Sequence, residues 1–324
     1  MRGRVWYVVL MVALAAPLFT SDYVQHLILL MFFWAYLGTS WNILGGYAGQ
    51  LSLGHASFFG IGAYTSTLLF TNVGLTPWIG MLVAGLVAAL FGLFIGFASF
   101  HYGLKGPYFT LVTIAFAEVL RHIFNNWQPV GAAMGILIPL QGNSPGIFQF
   151  SEKYPYYYIA FAMMLISLEV GRAVHRSKFG YQLVALRENE DTAESLGVDT
   201  KAMKLAAISL SAFLTGMGGS FYAQYFLYID PETTFMLHVS VDIALRPIVG
   251  GLGTIAGPVV GSIILTPLSE LTRWVFGGRY AGVALMSYGL ILMAVVLLAP
   301  GGVVGWYRDM RQRAAQRLVR EEEV

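Results

Sequence analysis

Apolar stretches long enough to cross a bilayer recur from one end of this 324-residue chain to the other, and that recurrence leaves it few folds. A membrane helix needs about 20 apolar residues, and its backbone polar groups must be satisfied within the protein. Apolar runs fall at 5–16, 27–44, 51–70, 78–100, 107–127, 156–174, 205–227, 239–249, 255–269 and 281–299. The composition, 57% hydrophobic and 11% charged, is too apolar for an ordinary soluble domain. The expected fold is all-α: a polytopic transmembrane bundle of about eight to ten spans, some short or broken, forming one membrane domain over 1–324. The run at 5–16, preceded by Arg2 and Arg4, looks like a signal peptide. A chain that keeps re-entering the membrane uses such a run as an uncleaved first span.

Topology follows from the cations, because basic loops stay cytoplasmic. With the N-terminus inside, strict alternation leaves only Arg121, Lys153, Arg246, Arg273 and Arg279, of 19 lysines and arginines, off the cytoplasmic side. This predicts cytoplasmic termini, a cytoplasmic loop at 175–204 and a basic cytoplasmic tail at 305–324. A re-entrant hairpin over 239–269 would lower the count to about eight and keep both termini inside. Outside, residues 128–155 are long for a loop and rich in Gly and Pro. They form either a docking surface or a passive linker folded over the outer face.

Three stretches carry most of the functional information. The first runs from Gly45 and Gly46 through Gln50, Ser52, Gly54 and His55 to Gly60. Glycine this dense disfavours a continuous helix and permits close helix approach or unwound backbone. These residues either line a path or serve helix packing, with His55 as an interhelical hydrogen-bond donor. The second is the charged segment 187–197. It reads as one short amphipathic helix ended by Gly197, with Ala193 and Leu196 on one face and Glu190 and Glu194 on another. The third holds Asp242, Arg246 and the glycines Gly250, Gly251 and Gly253. An intramembrane Arg246 is either functional or a structural pair with Asp242, four residues earlier. Glu118, Arg121 and His122 also share a helical face and pair with each other on the same reasoning. Asn42-Ile43-Leu44-Gly45-Gly46 is faintly echoed by Pro247-Ile248-Val249-Gly250-Gly251.

Several chemistries fall away. There is no cysteine, and the 6 histidines form no HExxH-like cluster, so no metal site is expected. No Gly-Lys dipeptide occurs, so a P-loop is absent and no cofactor is expected in this chain. Energy for transport then comes from a separate ATPase or from an ion gradient. The second alternative, a secondary carrier of a small polar solute, needs a buried ion relay, for which only His55, Glu118 and His122 stand out.

Taken together, the glycine-rich stretch from Gly45, the run Leu104-Lys105-Gly106-Pro107-Tyr108-Phe109-Thr110-Leu111 on to Glu118, the charged loop, Gly250-Gly251-Leu252-Gly253-Thr254 and the basic tail resemble the LivM-type permeases of branched-chain amino acid ABC importers. The resemblance covers most of the chain. It implies an inner-membrane transporter subunit rather than an enzyme, moving branched-chain amino acids or another small polar solute such as urea or an amide. It implies that Arg187, Glu190, Ala193, Glu194, Leu196 and Gly197 couple to a cytoplasmic ABC ATPase that binds ATP. Gly45, Gly46, Gln50, Ser52, Gly54, His55, Gly60, Tyr108, Gly250, Gly251 and Gly253 would belong to the translocation path. The implied partners are the ATPase subunits, a second, LivH-type permease, an extracytoplasmic solute-binding protein and the lipid bilayer, with no nucleic acid. Two departures stand out: Val130-Gly131-Ala132-Ala133-Met134-Gly135 where the family often has Thr-Gly-Gly, and Arg246-Pro247 where it more often has apolar residues.

Overall fold

A computed structural model describes residues 20–276 continuously, together with Pro17, Met286, Gly289, Leu290, Met293, residues 301–306 and Met310. The expected span at 5–16, nearly all of that at 281–299 and most of the tail at 305–324 lie outside the described residues. Where described, the chain is a helical bundle: α1 (Asp22–Asn42), α2 (His55–Val73), α3 (Pro77–His101), α4 (Pro107–Asn126), α5 (Tyr154–Arg176), α6 (Lys178–Glu188), α7 (Glu190–Ser195), α8 (Thr200–Phe226), α9 (Pro231–Phe235), α10 (Leu237–Gly251) and α11 (Gly257–Phe276). Among the described residues four helices are long and apolar enough to cross a membrane: α1 continued to Tyr47, α3, α5 and α8.

The bundle is built around α8, which packs against α2 and α3, while α1 packs against α5, α11 and α10. Small residues set these distances. A Cβ on Gly62 would overlap the Gly216 carbonyl oxygen of α8, and one on Gly219 would overlap the Phe59 carbonyl oxygen of α2. In a membrane, where hydrocarbon surrounds the bundle anyway, such close backbone approach supplies the packing that holds helices together.

Helix boundaries follow local chemistry. Pro77 and Pro107 start α3 and α4 at positions where an N–H would lack a partner. The side chains of Ser177, Asn189, Asp199 and Asp230 accept hydrogen bonds from the first turns of α6, α7, α8 and α9.

Two expectations need correction. The apolar run at 51–70 is not helical from its start: α1 ends in a π-helical turn, Ile43–Tyr47, and helix resumes only at His55. The segment 187–197 is not one helix. Arg187 and Glu188 close α6, and Asn189, extended at φ −159°, caps a separate α7. Ala193 and Leu196 therefore do not share a buried face: Ala193 is 2% exposed and Leu196 80% exposed.

Loops collect at two ends. At one, Lys105 is 3.1 Å from Asp191 and Lys204 2.8 Å from Glu190, so the α3–α4 turn, α7 and the start of α8 meet. This is the basic end. At the other, residues 127–153 are folded back on the helices. Strand β1 (Ile136–Leu137) pairs antiparallel with β2 (Tyr228–Ile229). Thr76 and Trp78 donate to the carbonyls of Gly146 and Pro145 at 2.5 and 2.7 Å, and the buried Gln149 side chain bonds the loop backbone at Pro139 and Gln141.

Candidate functional site

The residues singled out in the sequence gather mainly at the basic end, around the break between α1 and α2. Gln50, Ser52, Gly54 and His55 lie in or beside the seven residues that separate the π-turn from α2. All four are buried. His55 is 0% exposed, with Nε2 2.8 Å from the Ser211 hydroxyl of α8 and Nδ1 3.2 Å from the Ser52 hydroxyl. Ser211 in turn donates to the Ser40 carbonyl at 2.7 Å. Trp41 donates to the Ser52 carbonyl at 2.7 Å, and the Ala56 amide donates to the Ser240 hydroxyl at 2.8 Å. Backbone freed from a helix inside a membrane must find such partners: α1 and α10 supply these two, and from α4 Thr110 donates to the Leu51 carbonyl at 2.7 Å while Thr113 accepts from the Leu53 amide at 3.2 Å.

The glycines of this region are tightly enclosed. A Cβ on Gly45 would meet the Trp41 ring, on Gly54 the Thr113 backbone of α4, and on Gly60 the Phe235 ring of α9. Gly250 lies against Gly257 at the start of α11. Tyr108, by contrast, is 69% exposed at the first turn of α4, away from this cluster.

The two echoing segments meet here. Asn42, buried at the end of α1, accepts from the Gly253 amide at 2.9 Å and donates to the Thr254 carbonyl at 3.0 Å. Over this contact lies Arg187, whose Nη1 donates to the Gly46 carbonyl at 3.0 Å. Arg187 thus reaches from an exposed position to the helix break with Nη1, while its Nε and Nη2 donate to the exposed Glu188 carboxylate at 3.2 and 2.7 Å. In the sequence Asn42 stood out only as part of the echo and Gly49 only as one glycine of a dense stretch; the contacts each makes have no local pattern.

Next to it, α7 is anchored by charge. Glu190 lies between Lys204, 2.8 Å away with a side chain only 4% exposed, and Lys105 at 3.5 Å. The hydrogen bond to Asp191 and the nearby Glu190 carboxylate raise the Lys105 ammonium above its usual range. Lys204 also stacks over the Phe100 ring, 4.9 Å from its centre. Glu194, Leu196 and Gly197 are exposed, and a Cβ on Gly197 would meet nothing, although its φ of +86° favours glycine.

A second polar region lies toward the opposite end. Only Phe109, Thr113 and Ala117 of α4 are buried, so the helix is peripheral. Yet Arg121 contacts Glu118 at 2.8 Å and Glu232 of α9 at 2.5 Å, and Asn125 donates to Glu232 at 2.9 Å. His122 is exposed beside them. Hydrogen bonds from Asn125 and Arg121 lower the Glu232 carboxyl below its usual range. Glu232 was missed in the sequence because it pairs across 111 residues. Arg246 is a different case: 2% exposed, it lies 3.2 Å from Asp242 and over the Trp34 ring of α1 at 4.0 Å. Asp242 meets its charge from four residues earlier, while the buried Arg246 Nε has no hydrogen-bond partner among the described residues.

Among the described residues no group of His, Asp and Glu is placed to hold a metal. A family model described as the permease component of the branched-chain amino acid transport system matches residues 23–299. The high-affinity branched-chain amino acid transport system permease protein LivM of Escherichia coli K12 is 28% identical, over 91% of this chain and 73% of its own. The probable branched-chain amino acid transport permease protein LivH of Methanocaldococcus jannaschii is 25% identical over 76% of this chain and 80% of its own. The nucleoside ABC transporter permease protein NupC of Lactococcus lactis is 24% identical over the same shares, 76% and 80%. No solved structure matches.

Proposed function

Because the chain belongs to the branched-chain amino acid transport system permease family, we propose that it is the membrane subunit of an ABC importer that moves branched-chain amino acids, or a related small polar solute, inward by alternating access. ATP is bound and hydrolysed on separate cytoplasmic ATPase subunits, since this chain has no Gly-Lys from which a P-loop could be made. A second, LivH-type permease completes the path, and an extracytoplasmic binding protein delivers the solute. The basic end faces the cytoplasm by the positive-inside rule, with both termini on that side.

The observation that carries this reading is the construction of α6–α7 at the basic end. It is a capped, polar knuckle anchored inward through Ala193 and Glu190 while presenting Glu194, Leu196 and Gly197 outward. A solvated connector has no need of buried anchors under an exposed tip; a surface that receives force from a partner does. A second support is α4. The exposed face of α3 is apolar, with Leu82, Leu86, Leu90, Phe94 and Phe97 all more than half exposed, and acyl chains cover such a face readily. The ions of α4 are unsuited to that environment and instead border the seam with the second permease, through which solute passes.

The test is uptake of radiolabelled leucine, isoleucine or valine into vesicles holding the chain with its co-expressed ATPase, second permease and binding protein. Uptake is expected only with ATP on the ATPase side, and none when the chain is alone under an imposed proton or sodium gradient. Gradient-driven uptake by the chain alone would replace this reading with a secondary carrier.

A further inference from the structure

The hydrogen bond from Arg187 to Gly46 joins the docking segment to the helix break, and its surroundings show that the side chain occupies a prepared seat. Two glycines form that seat, and both have left-handed backbone: Gly49 at φ +68° and Gly253 at φ +70°. A Cβ on Gly49 would come within 2.6 Å of the Arg187 Cγ, and one on Gly253 within 2.7 Å of its Nη1. Gly49 therefore requires glycine twice, for its dihedral angle and for the room it leaves the arginine stem, and Gly253 for its dihedral angle. The bond itself has a physical rationale. The last carbonyls of a helix lack intrahelical partners and carry the negative end of its dipole, so a guanidinium is well suited to cap them. The helix it caps ends in a π-turn, an irregularity that favours rearrangement over rigid continuation.

We infer that Arg187 is the transmission link of this subunit: its guanidinium couples movement of the ATPase-docking segment to the α1 break and, through it, to the α10–α11 turn. Asn42 locks that turn to α1, so the arginine bonded to Gly46 acts on an element that is already tied to the turn. On the far side of the segment, Glu190 holds the start of α8 and the α3–α4 turn. A push on α7 is thereby divided between two parts of the bundle. The inference rests on the proposed docking role of α6–α7 and adds how force leaves that segment.

The experiment measures ATP hydrolysis and solute uptake together in the reconstituted full complex carrying Arg187→Ala, Arg187→Lys or Gly49→Ala. The expected result is that Arg187→Ala lowers solute moved per ATP hydrolysed by about tenfold or more, the scale of a lost charge-assisted hydrogen bond, while the complex still assembles and hydrolyses ATP. Gly49→Ala, which spoils the seat without removing the charge, gives the same split, and Arg187→Lys, which keeps a donor for the Gly46 carbonyl, restores part of the ratio. Equal loss of hydrolysis and uptake would overturn the inference, because Arg187 would then merely hold the segment for docking. An unchanged ratio in both Arg187→Ala and Gly49→Ala would overturn it as well. If no ATPase assembles with the unaltered chain, the docking reading itself fails and takes this inference with it.

Discussion

Glu190→Lys abolishes uptake while leaving a protein that still inserts in the membrane. The carboxylate is the common partner of Lys204 and Lys105, and reversal sets three cations together at the root of α7. Lys204 has a nearly buried side chain and, among the described residues, no other carboxylate within ion-pair distance. Leaving a buried charge unpaired costs about 3–5 kcal/mol, which on its own displaces α7 from its seat in most molecules. Uptake should fall by roughly a hundredfold or more, measured against membrane content by immunoblot. The paired exchange Glu190→Lys with Lys204→Glu restores an ion pair at the same place, and Lys105 is the only cation it leaves without a share of Glu190. Recovery to within about tenfold of the natural chain is expected on that basis. Failure of the exchange to recover anything, with normal insertion, would indicate that Glu190 acts on a partner and not on the start of α8.

Glu118→Leu combined with Arg121→Leu separates two accounts of α4. If lipid covers this face, exchanging a partly exposed ion pair for leucine is neutral or favourable, because the pair carries a desolvation cost that leucine does not. If the face borders the solute path, the substitution makes that stretch of wall apolar, and it frees Glu232 from the guanidinium 2.5 Å away. The expected result is normal or raised membrane content with uptake reduced more than about tenfold. Full uptake at normal content would assign α4 to the lipid boundary.

The legibility of this protein in its sequence follows the range of the forces involved. Spans were readable because bilayer insertion is decided by local apolar length, and α3 and α5 begin and end within a few residues of the runs that announce them. The break between α1 and α2 was legible as an excess of glycine; its position was not, because the hydroxyls that hold it come from Thr110 and Thr113 and, where helix resumes at His55 and Ala56, from Ser211 and Ser240, far along the chain. The segment 187–197 was legible as a punctuated polar element, yet Asn189 reads equally as a mid-helix residue or a cap. Only its extended backbone and its bond to the Thr192 amide decide between them. Arg187 stood out in the sequence as one of the coupling segment's residues, but its bond to the helix break depends on two glycines more than 60 residues away on either side and on a carbonyl 141 residues away, a juxtaposition with no local signature.

The central claim, that the α6–α7 tip is the surface an ABC ATPase engages, is tested most directly by cross-linking. The chain contains no cysteine, so Leu196→Cys places a single thiol on an 80% exposed residue of the tip, and Leu137→Cys, 74% exposed on β1, places one at the opposite end. Membranes from cells expressing the whole importer, treated with a short thiol-to-amine cross-linker, should yield a permease–ATPase adduct from Leu196→Cys and none from Leu137→Cys. An ATPase adduct from Leu137→Cys alone, or no ATPase adduct from Leu196→Cys in membranes that still take up solute, would contradict the account.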